Sequence, residues 1–178
     1  MEILYFLVLM IVIKTLHINN KPYTQKTLKA IILETKQQLT ALNTRSIALP
    51  PPHHIASYAT VMACHELKIT FVPLTQNLSR QQKQILIDKC ACDTILKLNS
   101  EFEKISALPP KTPTDTAYIM HTSGSTGAPK AIPISYSNLQ AFNDMIQSRY
   151  RFTADDRIAN WAKLSFDMSV FDWMAAIG

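Results

Sequence analysis

Nine consecutive residues concentrate groups that suit an anion: Thr122-Ser123-Gly124-Ser125-Thr126-Gly127-Ala128-Pro129-Lys130. Glycine lets successive backbone N–H groups converge on one acceptor, because no Cβ blocks the turn. Four hydroxyls add rotatable donors, and Lys130 brings a mobile positive charge to the rim. The chain has only 3 glycines, where average usage would give about twelve. Two of them stand at 124 and 127. The run is not a Walker A loop, which needs Gly-Lys-Ser/Thr in sequence at a helix start; here Ala128-Pro129 separates Gly127 from Lys130. A second segment, Phe166-Asp167-Met168-Ser169-Val170-Phe171-Asp172, sets a carboxylate near a helix start among apolar residues. Asp167 there can cap the helix or serve as counter-ion to a cation.

These residues need elements to hold them. Ala117 to His121 reads as a buried strand that feeds the glycine run directly, which puts the run at the carboxyl edge of a sheet, where ligands of α/β folds bind. Upstream, Leu16–Ile18 and Pro22–Tyr23 flank Asn19-Asn20 as a hairpin. Thr24 caps a helix to about Leu42, with Leu28, Ile31, Ile32, Leu39 and Leu42 on one face. Ser46–Leu49 is a short strand, His53–Leu67 a helix, and Ile69–Val72 a strand stopped by Pro73. Ser79 with Gln82 forms a capping box for a helix to about Cys90, and a strand follows at Thr94–Leu98. Asn99 to Thr116, with Pro109, Pro110 and Pro113, reads as a connector. Ser135 or Ser137 caps a helix to about Tyr150. A strand from Arg157 to Ala162 and a last helix from near Asp167 complete the series. Strands alternating with helices predict an α/β fold, a layered, mostly parallel sheet flanked by helices.

Tyr118-Ile119-Met120-His121 followed by the glycine run resembles the phosphate-loop signature of the adenylate-forming ligase superfamily. Leu67-Lys68-Ile69-Thr70-Phe71-Val72-Pro73-Leu74 resembles that family's strand ending in valine-proline-leucine, and the Ser79–Cys92 helix fits as well. The resemblance extends from about His17 to Gly178. It implies that Thr122, Ser123, Ser125 and Thr126, with the backbone at Gly124 and Gly127, hold the β- and γ-phosphates of ATP. Lys130 matches the loop lysine, not the family's adenylation lysine. One departure is Ala131, where the family usually has a third glycine; a methyl there is expected to restrict the loop.

Phe166-Asp167-Met168-Ser169-Val170 resembles the motif of members that activate amino acids, in which the matching Asp pairs with the substrate's α-ammonium group. The branches nearest to it are the adenylation domains of non-ribosomal peptide synthetases and the D-alanine–carrier-protein ligases. The resemblance implies ATP with Mg²⁺, an amino acid or other carboxylate, and a carrier protein as partners. The reaction it implies joins the carboxylate to AMP and then passes the acyl group to a thiol. The family's adenine-packing segment, ribose-binding acid, Thr-Glu pair and catalytic lysine have no counterpart in these 178 residues. No general acid or base is identifiable. His53, His54 and His65 read as surface or packing residues, and His121 as lining the loop. The expectation is the N-terminal part of an adenylation domain over 16–178, inactive alone and completed by a separate C-terminal half.

Composition narrows the classes. Hydrophobic residues make up 47% and charged residues 17%, a globular balance. The net charge of +5 suits a phosphate-bearing ligand. The basic residues are scattered, which argues against nucleic acid. Cys64, Cys90 and Cys92 lack paired metal-ligand spacing and read as reduced, buried thiols of a cytoplasmic protein. Ile3 to Ile13 is an apolar run too short to span a bilayer, which takes about twenty residues; residues 1–15 form a segment apart, and a membrane role is disfavoured. Beyond residue 178 the sheet is expected to lose a partner and to expose Trp161, Phe166, Phe171 and Trp173. Two other readings stay open: a non-catalytic remnant with weak nucleotide or phosphate binding, and a membrane-associated interaction protein using Ile3–Ile13.

Overall fold

The computed structural model describes residues 15–18, 21–105, 113–122, 129–153, 156, 158–160 and 162–177. A two-stranded hairpin opens the chain, β1 (Thr15–Ile18) antiparallel to β2 (Lys21–Thr24). Thr24 ends the second strand and caps the first helix at once, its hydroxyl accepting from the N–H of Thr27 at 3.2 Å. Helix α1 (Gln25–Ala41) buries Leu28, Ile32, Thr35 and Leu39, the i, i+4, i+7, i+11 stripe of an amphipathic helix. There follow β3 (Ser46–Leu49), α2 (Ile55–Leu67), β4 (Thr70–Pro73), α3 (Arg80–Lys89), β5 (Thr94–Leu96), β6 (Phe102–Lys104), β7 (Thr116–Thr122), β8 (Lys130–Ser135), α4 (Tyr136–Tyr150) and α5 (Met168–Ile177).

The larger sheet has six strands in the order β6-β5-β3-β4-β7-β8. The four inner strands run parallel, and each edge strand returns antiparallel to its neighbour. Period-two alternation sorts the side chains between two cores. Ile47, Leu49, Phe71, Tyr118 and Met120 face α1, α2, α4 and α5. Ala48, Val72 and Ile119 pack with Leu86, Ile87 and Cys90 of α3. The chain passes from β3 to β4 through α2 in one direction, then from β4 back across β3 to β5 through α3. Changing the helix's face when the crossover reverses keeps both connections in the same hand.

Helix ends follow the sequence closely. Ser79 and Gln82 form the expected capping box before α3, and Ser135 rather than Ser137 caps α4, accepting from the N–H of Asn138. With glycine so scarce, α2 and α4 close on Lys68 and Arg151, both left-handed at φ 57° and 49°. The Lys68 ammonium sits 4.2 Å over the ring of Tyr136, whose hydroxyl donates to the carbonyls of Cys64 and Ile69. That contact rivets the start of α4 to the end of α2.

Three expectations are corrected. The 99–116 connector contains β6, a strand of three residues whose Glu103 and Lys104 point to ion pairs with Lys97 and Asp93. Strand β8 follows the glycine run directly. It carries Pro133, which a sheet tolerates on an edge strand. The strand expected over 157–162 does not form at 158–160 or 162; Arg157 and Trp161 lie outside the described residues.

Trp173, expected to be exposed, is buried, because α5 lays Val170, Trp173 and Met174 on the sheet. Its ring meets Phe71 edge-on at 6.3 Å. Phe171 is half-buried against Phe142, Tyr150 and Phe152, and Phe166 is 59% exposed as expected. Ile3–Ile13 lies outside the described residues. Among the described residues, no helix is long and apolar enough to cross a membrane.

Candidate functional site

Strand β7 begins buried, at Thr116 to Met120, and ends with exposed Thr122 at the carboxyl edge of the parallel strands. Strand β8 starts at Lys130, directly opposite Thr122 in the register. The two ends of the glycine run, Thr122 and Lys130, are therefore register partners on the paired strands β7 and β8. Ser123, Gly124, Ser125, Thr126 and Gly127 lie outside the described residues. Ala131 lies in β8, opposite His121 and packed toward the α3 core, and it is not among the residues at positive φ. Its methyl thus sits in the strand that follows the run.

The loop's return is tied down from the opposite side of the β7–β8 pair. Pro129 is buried, and its carbonyl accepts from the Lys89 ammonium at the end of α3, at 3.2 Å. This contact spans 40 positions, and no local sequence signal announces it. His121 stands one residue before Thr122. Burial holds its imidazole below the usual histidine range, opposed by a hydrogen bond to the backbone of Pro73. Its Nε2 is buried and, among the described residues, has no hydrogen-bonding partner.

Asp167 is exposed in the turn before α5, and its Oδ1 accepts from the N–H of Met168 at 2.8 Å. That N–H belongs to the adjacent residue, so the bond is a local turn contact and not the N2 or N3 contact of a helix cap. Only one carboxylate oxygen is used, and among the described residues Asp167 has no cationic partner. Its charge reaches Tyr118 on β7, whose phenol is pushed up to about 12, chiefly by burial and further by Asp167. The carboxylate and the strand that feeds the glycine run therefore share one electrostatic neighbourhood. Ser169 is fully buried and donates to the carbonyl of Phe166 at 2.7 Å, which fixes the turn carrying Asp167.

The other titratable candidates are structural. His65 lies between the rings of Tyr136 and Trp173, and burial lowers it to about 4, so it is neutral near pH 7. His54 occupies the N-cap of α2, and its backbone N–H donates to the Ser57 hydroxyl at 3.3 Å. All three cysteines are free and buried, and burial raises every thiol, Cys90 to about 11 and Cys92 to about 12. Thiolate is the reactive form. An aromatic disulfide reagent is therefore expected to leave Cys64, Cys90 and Cys92 unlabelled in the native protein and to label all three once guanidinium unfolds it. Rapid native labelling would contradict this packing.

The family model described as "AMP-binding enzyme" matches residues 81–178, more than half of the chain. The L-proline–[L-prolyl-carrier protein] ligase of Pseudomonas fluorescens is 49% identical over 65 residues, which make up 36% of this chain and 13% of that protein. The D-alanine–D-alanyl carrier protein ligase of Bacillus licheniformis is 48% identical over 58 residues, 33% of this chain and 12% of that protein. Among solved structures, the Vibrio cholerae adenylation domain AlmE, in complex with glycyl-adenosine-5'-phosphate, superposes with a TM-score of 0.76 at 22% identity, over 90% of this chain and 39% of that one. The o-succinylbenzoate coenzyme A synthetase MenE of Bacillus subtilis, in complex with AMP, gives 0.72 at 18% identity, over 92% and 50%. At these identities the structural likeness establishes the fold. The chain spans half or less of the length of these solved structures.

Proposed function

The chain belongs to the AMP-binding enzyme family, and from that premise we propose that it supplies the phosphate-binding loop of a ligase that activates an amino acid as its acyl-adenylate for transfer to a carrier thiol. The observation that carries this reading is the register of Thr122 against Lys130. It sets a rotatable donor and a cation at the two ends of a Ser/Thr/Gly segment, on the carboxyl edge of a parallel sheet. Two relatives named as carrier-protein ligases, and a fold neighbour holding a glycyl-adenylate, support an amino acid as the carboxylate.

In the proposed reaction a carboxylate oxygen attacks the α-phosphorus of ATP while the bond to pyrophosphate breaks. Charge develops on the departing oxygens. Thr122, Ser123, Ser125, Thr126 and the backbone at Gly124 and Gly127 are the donors assigned to stabilise it, and Lys130 adds a charge-assisted contact. Asp167 binds the α-ammonium group and so orients the carboxylate. Mg²⁺, when bound, neutralises phosphate charge. Thr122 and Lys130, the described members of the loop with polar side chains, are a hydroxyl and an ammonium, which suit phosphate oxygens better than a hard cation; the ion is accordingly assigned to the nucleotide rather than to a protein cage.

Lys130→Ala is expected to weaken ATP binding about tenfold to a hundredfold, as loss of one charge-assisted contact should, while adenosine binding is unchanged. Titration calorimetry measures both. Equal ATP affinity in the variant would refute the assignment of the loop. Lys130-dependent ATP binding without amino-acid-dependent pyrophosphate exchange would instead favour the non-catalytic reading.

A further inference from the structure

We propose that Lys89 is a second basic residue of the nucleotide site, a positioning residue that fixes where the glycine run rejoins the sheet and adds positive charge at its root. The inference rests on the nucleotide reading above and deepens it. Pro129 has no N–H, so its carbonyl is the backbone polar group available to hold this point of the chain. That carbonyl is bound by the Lys89 ammonium at 3.2 Å, in a partly buried contact. Pro129 immediately precedes Lys130, and the Thr122–Lys130 register closes the β7–β8 pair there. Fixing Pro129 therefore fixes the backbone from which the Lys130 side chain departs.

Lys89 stands in the last turn of α3, where its charge also faces the carboxyl end of the helix. A lysine at a helix end is ordinarily explained by the macrodipole or by an ion pair. Among the described residues Lys89 makes no ion pair, and the neighbouring Asp88 carboxylate is engaged by the Gln84 side chain at 2.9 Å. Its field is felt locally, since it opposes the burial-driven rise of the Cys90 thiol. An ammonium carries three donors, and one of them serves Pro129. Two remain for oxygens of a bound anion, and the residue that Lys89 holds, Pro129, directly precedes Lys130 in the chain.

The test compares the full chain with Lys89→Met, Lys89→Arg and Lys130→Ala, measuring affinity for MgATP and for adenosine by calorimetry and the melting temperature without ligand. Lys89→Met is expected to weaken MgATP binding about tenfold, leave adenosine binding and the melting temperature unchanged, and flatten the salt dependence of MgATP affinity. Lys89→Arg, which keeps charge and donors, is expected to restore most of the loss. A merely structural lysine would lower the melting temperature and both affinities together. MgATP affinity within about twofold of the unaltered chain in Lys89→Met, alongside a clear loss in Lys130→Ala, would overturn the role of Lys89 and leave the nucleotide reading intact. No MgATP binding by the unaltered chain would overturn both.

Discussion

Replacing Asp167 with Asn should cost about a hundredfold in affinity for an amino acid and almost nothing in affinity for ATP. The substitution keeps the size of the side chain and an oxygen able to accept from the N–H of Met168, so the turn before α5 survives. What disappears is the negative charge. A charge-assisted hydrogen bond to an ammonium contributes about 1.5–3 kcal/mol, and about 2.7 kcal/mol corresponds to a hundredfold. The sharpest readout is a ratio. Glycine, D-alanine and L-proline are compared with the matching acids that lack the amino group. The unaltered protein should prefer the amino acids, and Asp167→Asn should bind both sets alike. An undiminished preference in the variant would leave Asp167 with its local turn contact alone.

Asp93→Ala is expected to destabilise the fold by about 1–3 kcal/mol, the cost of leaving buried N–H donors without an acceptor, since the Arg45 and Lys104 side chains are 66% and 38% exposed and return to water. The Asp93 side chain is 4% exposed. Its carboxylate accepts from the N–H groups of Arg45 and Ser46 and from the Thr94 hydroxyl, and it pairs with Arg45 Nε at 3.3 Å and Lys104 Nζ at 3.2 Å. One side chain thus ties together the starts of β3 and β5 and the end of β6. Alanine leaves buried N–H groups without acceptors. Asp93→Asn keeps one oxygen and should lose less. Against total stabilities of about 5–15 kcal/mol, the alanine variant would forfeit a large share, read as a lower urea midpoint. A loss below about 1 kcal/mol would mean that water replaces the carboxylate.

What could be read from the sequence divides along physical lines. Caps at Thr24, Ser79 and Ser135 were legible because a short side chain bonds a backbone N–H three residues on, a wholly local event. The inner strands were legible because burial on both faces demands continuous apolar residues. Edge strands β6 and β8 were not: one is mostly charged, the other contains Pro133, and pairing with a single neighbour asks little of composition. At the candidate site, Thr122 and Lys130 were recognisable by type, but their side-by-side register depends on β8, which went unread. Asp167 stands just before a helix start, as read, and its carboxylate bonds the adjacent Met168 N–H. Lys89 and Asp93 were missed because their partners lie some 40 to 48 positions away, beyond any periodicity.

The left-handed corners carry a further consequence. Among the described residues Asn43, Lys68, Ala91, Ser100 and Arg151 all have positive φ, a conformation that costs a residue with a Cβ about 1–2 kcal/mol and which asparagine tolerates best. Elsewhere in globular proteins such corners are commonly given to glycine. This chain instead accepts a small steric debt at several turns, each offset by the surrounding packing. The same debt is an untapped margin: one-letter drift toward glycine at Ala91 or Arg151 would raise stability without touching any residue of the proposed site, leaving room for destabilising change elsewhere to be absorbed.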